Sequence, residues 1–294
     1  SSSYRFANHA REAVEKARDR VAALIGAQPK EIFFTSCGTE SDNAALASAL
    51  RVTGRKKVVT TAVEHSAILN HAEQLAKEGV RVVILPVDSE GRLSIADLEK
   101  AVDEETAICS VMWANNETGV LFPVEEIAEI CKLKGAIFHT DAVQAAGKIS
   151  IDMAANKIDF LSLSGHKLHG PKGVGALFIR RRAKFSPYFL GGHQERGKRG
   201  GTENVASIAG FGRASELAAG RRPLRLTHQT GERDVEMVRG AYRRAGLEAE
   251  VEPFLFDMGR RIRQADLIVC RAGATTLAEI TAAGKAAILV PLPT

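Results

Sequence analysis

The segment LSLSGHKLHGPKGVG, residues 161–175, joins an apolar run of strand length to a loop that holds a lysine. Lys167 stands between His166 and His169, and glycines and a proline follow it. An amine held among small residues at the end of a strand can lie in a desolvated pocket, where it loses its proton more readily and forms a Schiff base with an aldehyde. An exposed loop lysine is the ordinary alternative. The surrounding segments have to decide between these interpretations.

Apolar runs alternate with helical patterns on both sides of this segment. The alternation predicts an α/β fold with a mostly parallel sheet whose strands are joined by crossover helices. One helix is predicted to end at Gly26, where glycine can take the left-handed conformation, and another to run from Pro123 to Gly135. The predicted strands are residues 31–35, 57–61, 81–85, 107–112, 136–140, 159–164 and 175–179.

Composition limits the classes of protein that this chain can belong to. Its 294 residues are 45% hydrophobic and 26% charged, and no apolar run reaches the roughly 20 residues of a membrane helix. Its four cysteines form no CxxC pair, which favours reduced thiols in the cytoplasm over a disulfide or zinc framework. The net charge of +5 comes without a basic stripe interleaved with aromatics, so no nucleic-acid partner is predicted. The chain does not begin with Met and has no signal-like segment, so we expect its first residue to be internal to a longer sequence.

Basic residues change in type near residue 220, which predicts a boundary. Residues 1–220 hold 14 Lys and 14 Arg, whereas residues 221–294 hold 1 Lys and 11 Arg. A second alternation of strand and helix patterns follows the boundary and reads as part of a second α/β domain. Its predicted elements are 224–229, 233–246, 248–254, 265–270, 275–284 and 286–293.

The segment FTSCGTESDNAAL, residues 34–46, joins a predicted strand to a predicted helix through Cys37, Gly38 and Thr39. Free backbone N–H groups at such a helix start can bind a phosphate. The alternative is an ordinary capping box, with Thr39 as the cap and Asp42 three residues later. From the residues alone both interpretations stay open.

Polar residues also follow other predicted strands. Asp141 stands at the end of the strand 136–140, where ligands bind in open α/β sheets, and can pair with a protonated ring nitrogen or cap a helix. His65 in EHSA can lie flat on an aromatic cofactor or be a surface histidine. WANNETG, residues 113–119, offers amides for oxygen contacts, or forms a turn. His166 and His169 have no third ligand nearby, so no metal site is predicted.

The order of these features resembles the NifS/IscS-type cysteine desulfurases, which are pyridoxal-phosphate-dependent enzymes of fold type I in the class V aminotransferase family. The resemblance covers residues 1–218 and rests on the segments TSCGTESDN, VMWANNETG, HTDAVQAAGK, SLSGHKLHGPKGVG and GGHQERGKRGGTEN. It implies a three-layer PLP-binding large domain with a mostly parallel sheet. The residues that it implies as cofactor-binding are Gly38, Thr39, His65, Asn116, Asp141, Gln144, Ser164, His166, Lys167 and Thr202.

The resemblance also assigns roles around the cofactor ring. Lys167 would be the catalytic lysine that forms the imine with pyridoxal 5'-phosphate and shuttles a proton to the substrate α-carbon. Asp141 would neutralise the pyridinium nitrogen, a tuning role that proteins supply to this cofactor. His65 would stack on the ring and Gln144 would contact its phenolic oxygen. Asn116 would contact the cofactor and bind the substrate carboxylate.

The phosphate end of the cofactor is implied by a second set of residues. Gly38, Thr39, Ser164 and His166 would hold the phosphate. Thr202 would reach the phosphate bound by a neighbouring subunit, so the resemblance implies a homodimer.

The implied reaction converts L-cysteine to L-alanine and passes sulfur through an enzyme persulfide to an acceptor protein, such as the scaffold of iron–sulfur cluster assembly. Members of the family begin with a strand upstream of residue 1 and carry a smaller C-terminal domain with the nucleophilic loop cysteine. Neither has a counterpart in this sequence, so we expect an incomplete enzyme in which cofactor binding is better supported than sulfur transfer. None of the cysteines stands in matching sequence; they are Cys37, Cys109, Cys131 and Cys270.

Residues 221–294 resemble a different family, the C-terminal GT-B-type domain of MurG, the UDP-N-acetylglucosamine transferase of peptidoglycan synthesis. CRAGATTLAE predicts a strand, a turn and a helix start whose N–H groups, from Gly273 to Thr276, can face a diphosphate, or form a plain turn. Glu279 would be the ribose-binding acid. Two further interpretations of the whole chain therefore stay open: a glycosyltransferase fragment that binds UDP-N-acetylglucosamine, and a non-catalytic chimera.

Overall fold

The computed structural model describes residues 5–220 and 225–291. The chain divides into two compact units, Ser1–Arg221 and Arg222–Thr294. Both contain alternating strands and helices. None of the helices within the described residues combines the length and apolarity that crossing a bilayer requires.

A seven-stranded sheet forms the centre of the first unit, with the strand order β1-β7-β6-β5-β4-β2-β3. All seven strands predicted from the sequence are present, and their ends lie within two residues of the predicted ones. The strands are β1 (Ile32–Thr35), β2 (Lys57–Thr61), β3 (Arg81–Leu85), β4 (Thr106–Ser110), β5 (Ile137–Asp141), β6 (Phe160–Ser164) and β7 (Gly175–Ile179).

The mostly parallel sheet that the sequence predicts is confirmed, with one strand reversed. Strands β3, β2, β4, β5 and β6 pair in parallel, whereas β7 runs antiparallel to both β1 and β6. A parallel connection needs a crossover of about a dozen residues or more, usually a helix. The segment between β6 and β7 holds only a short 3₁₀ turn, Gly165–Leu168, so the chain returns in the opposite direction.

Helices cover both faces of the sheet, which gives the three layers that the resemblance implies. Neighbouring residues of one strand belong to different apolar clusters: Phe33 packs on one side and Phe34 on the other. Helices α2 and α3 contribute to the first cluster, and the other long helices contribute to the second. The helices are α1 (Arg5–Leu24), α2 (Gly38–Thr53), α3 (Ser66–Lys77), α4 (Ile95–Ala101), α5 (Val124–Leu133), the short α6 (Gln194–Gly197) and α7 (Val205–Ala219).

The first and last helices of this unit approach each other closely. A Cβ atom on Gly212 of α7 would lie 2.5 Å from the Cα atom of Ala17 in α1. Any side chain at position 212 would therefore force the two backbones apart. Gly26, with φ at +62°, ends the segment after α1 in the left-handed conformation, as the sequence predicts.

A buried ion pair ties α1 to a loop that lies far along the chain. Arg18 Nη1 and Nη2 donate to Glu195 Oε2 and Oε1 at 2.7 and 2.9 Å. Arg18 Nη1 also donates to the carbonyl oxygen of Ile32, and the N–H of Phe34 donates to Glu195 Oε2. Glu195 has φ at +47°, an unfavourable region for a residue with a side chain. The ion pair holds that backbone against β1.

The second unit contains the strands and helices that the sequence predicts after the boundary. Its strands form two separate parallel pairs, β8 with β9 and β10 with β11. The last predicted strand, residues 286–293, extends to residues 292–293, which lie outside the described residues. The elements are β8 (Leu226–Gln229), α8 (Val235–Arg244), β9 (Ala249–Glu252), α9 (Met258–Gln264), β10 (Ile268–Arg271), α10 (Ala274–Ala283) and β11 (Ala287–Val290).

We predict that Glu195→Ala lowers the free energy of unfolding by about 3–5 kcal/mol, because it removes the buried partner of the Arg18 guanidinium and leaves it only the exposed Glu15. Urea unfolding of the intact chain measures the loss, and the single tryptophan, Trp113, reports on the first unit by its fluorescence. Glu73→Ala is the matched control, since Glu73 pairs with Lys77 on the exposed surface of α3. A loss below about 1 kcal/mol, the range of exposed pairs, would contradict the importance of the buried pair.

Candidate active site

The strand order brings most of the predicted site residues to one edge of the sheet. Strands β2, β4, β5 and β6 are neighbours and run in parallel, so their carboxyl ends meet. His65 follows β2, Asn116 follows β4, Asp141 ends β5, and Lys167 follows β6. Ligands bind at this edge in open α/β sheets.

Helix α2 begins two residues earlier than the capping-box interpretation requires. Its N-cap is Cys37, and Gly38 and Thr39 lie inside the first turn, so Thr39 is not the cap and that alternative is wrong. A Cβ atom on Gly38 would lie 2.9 Å from Val143 Cγ2 and 3.6 Å from Ser164 Cβ. The first turn of α2 therefore lies directly against the ends of β5 and β6.

His65 lies at the first turn of α3 and is exposed. Its Nδ1 atom accepts a hydrogen bond from the N–H of Ala67 at 3.1 Å, so the imidazole caps the helix. The cap holds Nδ1 in place and leaves the ring surface accessible. The sequence did not predict this role.

The segment 113–119 forms a turn, and the amide that organises it is Asn115. Asn115 Oδ1 accepts hydrogen bonds from the N–H groups of Glu117 and Thr118, both at 2.9 Å. Asn115 Nδ2 donates to the carbonyl oxygen of Val63 at 3.1 Å, which ties this turn to the loop before His65. Asn116 is exposed, and its Nδ2 donates to Glu117 Oε1. The turn interpretation is therefore right, and it leaves Asn116 accessible to a ligand.

Asp141 is buried at the end of β5, and its Oδ1 accepts a hydrogen bond from the N–H of Val143 at 2.9 Å. No helix begins there, so it is not a helix cap. Burial raises the pKa of its carboxyl, while that hydrogen bond and the charges of His65 and Lys167 oppose the rise. Gln144, half-buried, accepts from Lys148 Nζ.

The lysine loop forms a 3₁₀ turn at the end of β6, over Gly165–Leu168. Ser164 Oγ and His166 Nδ1 share a hydrogen bond of 2.9 Å. Burial lowers the pKa of His166, and the charges of Lys167 and Lys172 lower it further. Lys167 itself is exposed. The described residues alone therefore do not form a desolvated pocket around the Lys167 amine.

Two further carboxyl groups, which sequence reasoning missed, are buried near Asp141. Glu64 and Asp42 are 5% and 1% exposed, and each has one oxygen without a hydrogen-bond partner among the described residues. Burial raises the pKa of Glu64 to about 8. Burial, followed by the charge of Asp141, raises the pKa of Asp42 well above its usual range. No local sequence pattern distinguishes these two acids from surface residues, since Asp42 stands between Ser41 and Asn43.

His139 is the third buried polar residue that the sequence did not reveal. Its Nδ1 lies 2.8 Å from Ser110 Oγ, and its Nε2 lies 2.9 Å from Ser162 Oγ and 3.6 Å from Asp42 Oδ1. Burial lowers the pKa of this imidazole to about 3. The ring is therefore neutral at physiological pH, and its contact with Asp42 is not an ion pair.

Thr202 lies in an exposed loop whose position is fixed from the first turn of α2. Arg199 Nε and Nη2 donate to Glu40 Oε1 and Oε2 at 2.6 and 3.1 Å. Glu40 Oε2 also accepts from the N–H of Ser36 at 2.7 Å. The contact of Thr202 with a neighbouring subunit stays a prediction.

A cleft of about 720 Å³ opens at the start of α3. Glu64, His65 and Asn116 line it, whereas Asp141 and Lys167 do not. The structure thus brings two of the predicted residues together with an unpredicted buried acid. No group of three potential metal ligands occurs among residues 5–220 and 225–291.

The family model for aminotransferase class V matches residues 1–230. The chain belongs to this family. Cysteine desulfurase 2 of Trichormus variabilis is 52% identical over 219 residues, which cover 74% of this chain and 55% of that protein. A solved NifS-like protein superposes with a TM-score of 0.71 at 43% identity, over 74% of this chain and 60% of the other. The structure of SspA in complex with cysteine gives 0.70 at 33% identity, over 83% and 69%.

The chain spans about half the length of the curated relatives it matches. Class V aminotransferases and cysteine desulfurases depend on pyridoxal phosphate. The resemblance of residues 1–218 to this family, inferred from five sequence segments, is thereby confirmed.

The C-terminal domain model of glycosyltransferase family 28 matches residues 204–294. This match agrees with the resemblance of residues 221–294 to the MurG domain. Gly273 is the N-cap of α10, and Glu279 is exposed in the second turn of that helix. Nucleotide-sugar binding there stays a prediction.

We predict that His139→Gln reduces the loss of unfolding free energy as the pH is lowered from about 6.5 to about 3. The unfolded chain binds one more proton than the folded chain between the folded pKa of about 3 and the ordinary value of 6.5, so stability falls as pH falls through that window, by about 1.4 kcal/mol per pH unit. Glutamine can bond both serines and cannot be protonated, so the variant should lack this slope.

Urea unfolding at a series of pH values, followed by Trp113 fluorescence, measures the difference in slope. His9→Gln removes an exposed imidazole on α1 and is the matched control. Equal slopes for the wild type and His139→Gln would mean that the buried ring takes up a proton in the folded state.

Proposed function

We propose that the first unit binds pyridoxal 5'-phosphate as the cofactor-binding part of a cysteine desulfurase, whose reaction converts L-cysteine to L-alanine and passes the sulfur to an acceptor. The observation that carries the proposal is the convergence of Gly38, His65, Asp141 and Lys167 on one edge of a class V aminotransferase sheet. The order and the residue types are those of the cysteine desulfurase motifs.

The donors at the start of α2 fit a phosphate group. Gly38 has no side chain, and a Cβ atom there would collide with Val143. Backbone N–H groups in the first helical turn are free of intrahelical partners and suit an anion. Thr39, Ser164 and His166 add hydroxyl and imidazole groups around this turn, so these residues would hold the phosphate.

The acids at the sheet edge fit a cationic ring nitrogen. Asp141 is buried, and the cations that act on its carboxyl are His65 and Lys167, both exposed. A buried carboxylate without a close cation is costly, and a protonated ring nitrogen supplies the missing charge. His65, fixed by its cap on α3, would cover the ring, while Gln144 and Asn116 would contact oxygen atoms of the cofactor.

The bound cofactor supplies an electron-deficient ring that weakens bonds at the substrate α-carbon. Lys167 would bond to the cofactor aldehyde and move a proton at the α-carbon. Its exposed position at the end of β6 gives the amine freedom to exchange between these tasks. Asn116, accessible on the turn after β4, would bind the substrate carboxylate.

The substrate and partners follow from the relatives. L-cysteine is the proposed substrate, since a similar structure was solved in complex with cysteine. The sulfur acceptor would be a protein such as an iron–sulfur scaffold, and the compartment the cytoplasm. A homodimer in which Thr202 reaches the partner's phosphate would complete the site.

Sulfur transfer also needs a nucleophilic thiol. Cys109 and Cys131 are fully buried in the core between β4 and α5 and cannot reach a substrate. Cys37 is half-buried at the N-cap of α2, and Cys270 belongs to the second unit. Cofactor binding and sulfur transfer are therefore tested separately.

We predict a visible absorption band when pyridoxal phosphate is added to the protein, and its loss in Lys167→Ala. Borohydride reduction and peptide mapping should place the pyridoxyl group on residue 167. Lys172→Ala is the matched control, because Lys172 is an exposed lysine of the same loop. A band that survives in Lys167→Ala, or a tag on Lys172, would contradict the assignment.

We further predict that the loaded protein releases negligible alanine from L-cysteine, because Cys109 and Cys131 are buried in the core and cannot accept the substrate sulfur as a persulfide. Alanine, and the sulfide that an added dithiol would release from a persulfide, are quantified over time in the wild type and in Lys167→Ala. Robust alanine formation that depends on Lys167 would mean that another thiol of the chain accepts the sulfur.

A further inference from the structure

Glu64 lies between two loops that carry predicted ligand contacts. Its Oε1 atom accepts one hydrogen bond from Thr61 Oγ1 at 2.7 Å and another from the N–H of Met112 at 3.0 Å. Thr61 ends β2, and Met112 follows β4. The carboxyl group therefore joins the ends of two neighbouring strands.

This bridge sets the positions of His65 and Asn116 relative to each other. His65 is the next residue after Glu64, and Asn116 follows Met112 by four positions. A second bond, from Asn115 Nδ2 to the carbonyl oxygen of Val63, acts in parallel. Both loops line the same cleft. Without the Glu64 carboxyl, Met112 would lose the acceptor for its N–H, and one of the two ties between the loops would be lost.

The two oxygens of Glu64 have different roles. Oε1 already accepts two donors, which uses both of its lone pairs. Oε2 is buried and has no partner among the described residues. In a neutral carboxyl group the proton must therefore be on Oε2. Glu64 is one of the residues that line the cleft, and a buried O–H without an acceptor is costly.

The surroundings of Glu64 favour its neutral form. Within the described part of the chain, no cation is among the groups that set its pKa, which burial and the negative charge of Asp141 raise. Acidic groups of two other elements face it: after burial and Asp141, the charge of Glu64 also raises the pKa of Asp42 on α2, and after the hydrogen bond with Cys131 and burial it raises the pKa of Cys109 on β4. His65 adjoins Glu64 along the chain. The other ionisable groups that line the same cleft are acidic: Asp88, Glu90 and Glu117.

We propose that Glu64 is a positioning residue held as a neutral carboxylic acid, whose Oε1 fixes the His65 loop to Met112 and whose Oε2–H donates to an anionic oxygen of the ligand in the cleft. The ligand part rests on the proposed function. The anionic oxygen belongs either to the cofactor or to the carboxylate of the amino-acid substrate, and these two sources can be measured separately.

The first test concerns the protein without cofactor, so it stands even if the proposed function fails. A carboxyl whose folded pKa is about 8, against an ordinary 4.5, stabilises the fold fully below 4.5 and loses that contribution as pH rises through about 8. The melting temperature of the wild type should therefore fall more steeply than that of Glu64→Gln between about pH 5 and 9. The signal of Glu64 in ¹³C-carboxyl NMR should report the neutral acid at pH 6, assigned by its loss in Glu64→Gln. An ionised Glu64 at pH 6, or parallel melting profiles, would overturn the proposal.

The second test uses ligand affinity. Glutamine keeps the acceptor at Oε1 and places an N–H donor where Oε2–H stood, so Glu64→Gln should bind ligand within about threefold of the wild type, whereas Glu64→Ala should lose about tenfold, the effect of one hydrogen bond. Pyridoxal phosphate is titrated by its absorption band, and L-alanine, the proposed product, is titrated into the loaded protein.

A loss in Glu64→Ala for pyridoxal phosphate assigns the Oε2–H to a cofactor oxygen, and a loss for L-alanine alone assigns it to the amino-acid carboxylate. Unchanged affinity for both in Glu64→Ala, or an equal loss in Glu64→Gln and Glu64→Ala, would overturn the ligand part. If the wild type gave no band at all, the proposed function would fail, and the first test would still decide the state of Glu64.

Discussion

The candidate active-site edge of this sheet is governed by an excess of buried acid. Asp42, Glu64 and Asp141 are all buried there, and the buried imidazole beside Asp42, that of His139, is neutral. Separating a carboxylate from water without a nearby cation costs far more than holding it as a neutral acid. The described chain can meet this constraint by protonating its carboxyls, and a ligand can meet it by bringing a positive charge. A ring nitrogen that binds as a cation would meet it at Asp141, so the electrostatics of this sheet edge support the proposed cofactor.

The same constraint explains why the loops at this edge are tied by side chains. Strands β2, β4 and β5 end side by side, and the chain leaves each of them in a loop that must not drift if His65, Asn116 and Asp141 are to act together. Hydrogen bonds from buried polar groups fix such loops better than apolar contacts do, because they specify direction as well as distance. Glu64 Oε1, Asn115 Nδ2 and the N–H of Trp113, which donates to the carbonyl oxygen of Asp141, are the links. Burying these polar groups costs free energy, but their hydrogen bonds also fix the positions of the predicted ligand-binding residues His65, Asn116 and Asp141.

The sequence predicted the strands well and the polar network poorly, and the reason is physical. A strand buried on both faces is a local apolar run, and the partly exposed edge strand β3 still has the apolar residues VVIL, so all seven strands of the first unit could be predicted from the sequence. The reversal of β7 depends on the length of one connection, and the start of α2 at Gly38 depends on backbone geometry that a capping pattern at Thr39 imitates. Glu64 and Asp42 look like ordinary surface acids in sequence, because only the folded sheet removes them from water. Arg18 and Glu195 lie 177 positions apart, a distance across which no local pattern can pair them.

The burial of Cys109 and Cys131 means that cofactor binding and sulfur transfer place different demands on the protein. A thiol that takes sulfur from a substrate and hands it to another protein has to move between a cofactor and the surface. Cys109 and Cys131 pack inside the core, where the movement of a side chain is opposed by the dense packing of its neighbours. The sheet edge, in contrast, needs only rigid contacts to hold a cofactor, and the ion pairs Arg18–Glu195 and Glu40–Arg199 add rigidity around the first turn of α2. A cofactor site has to be rigid, whereas a thiol that transfers sulfur has to move. We therefore expect different elements to bind the cofactor and to carry the sulfur.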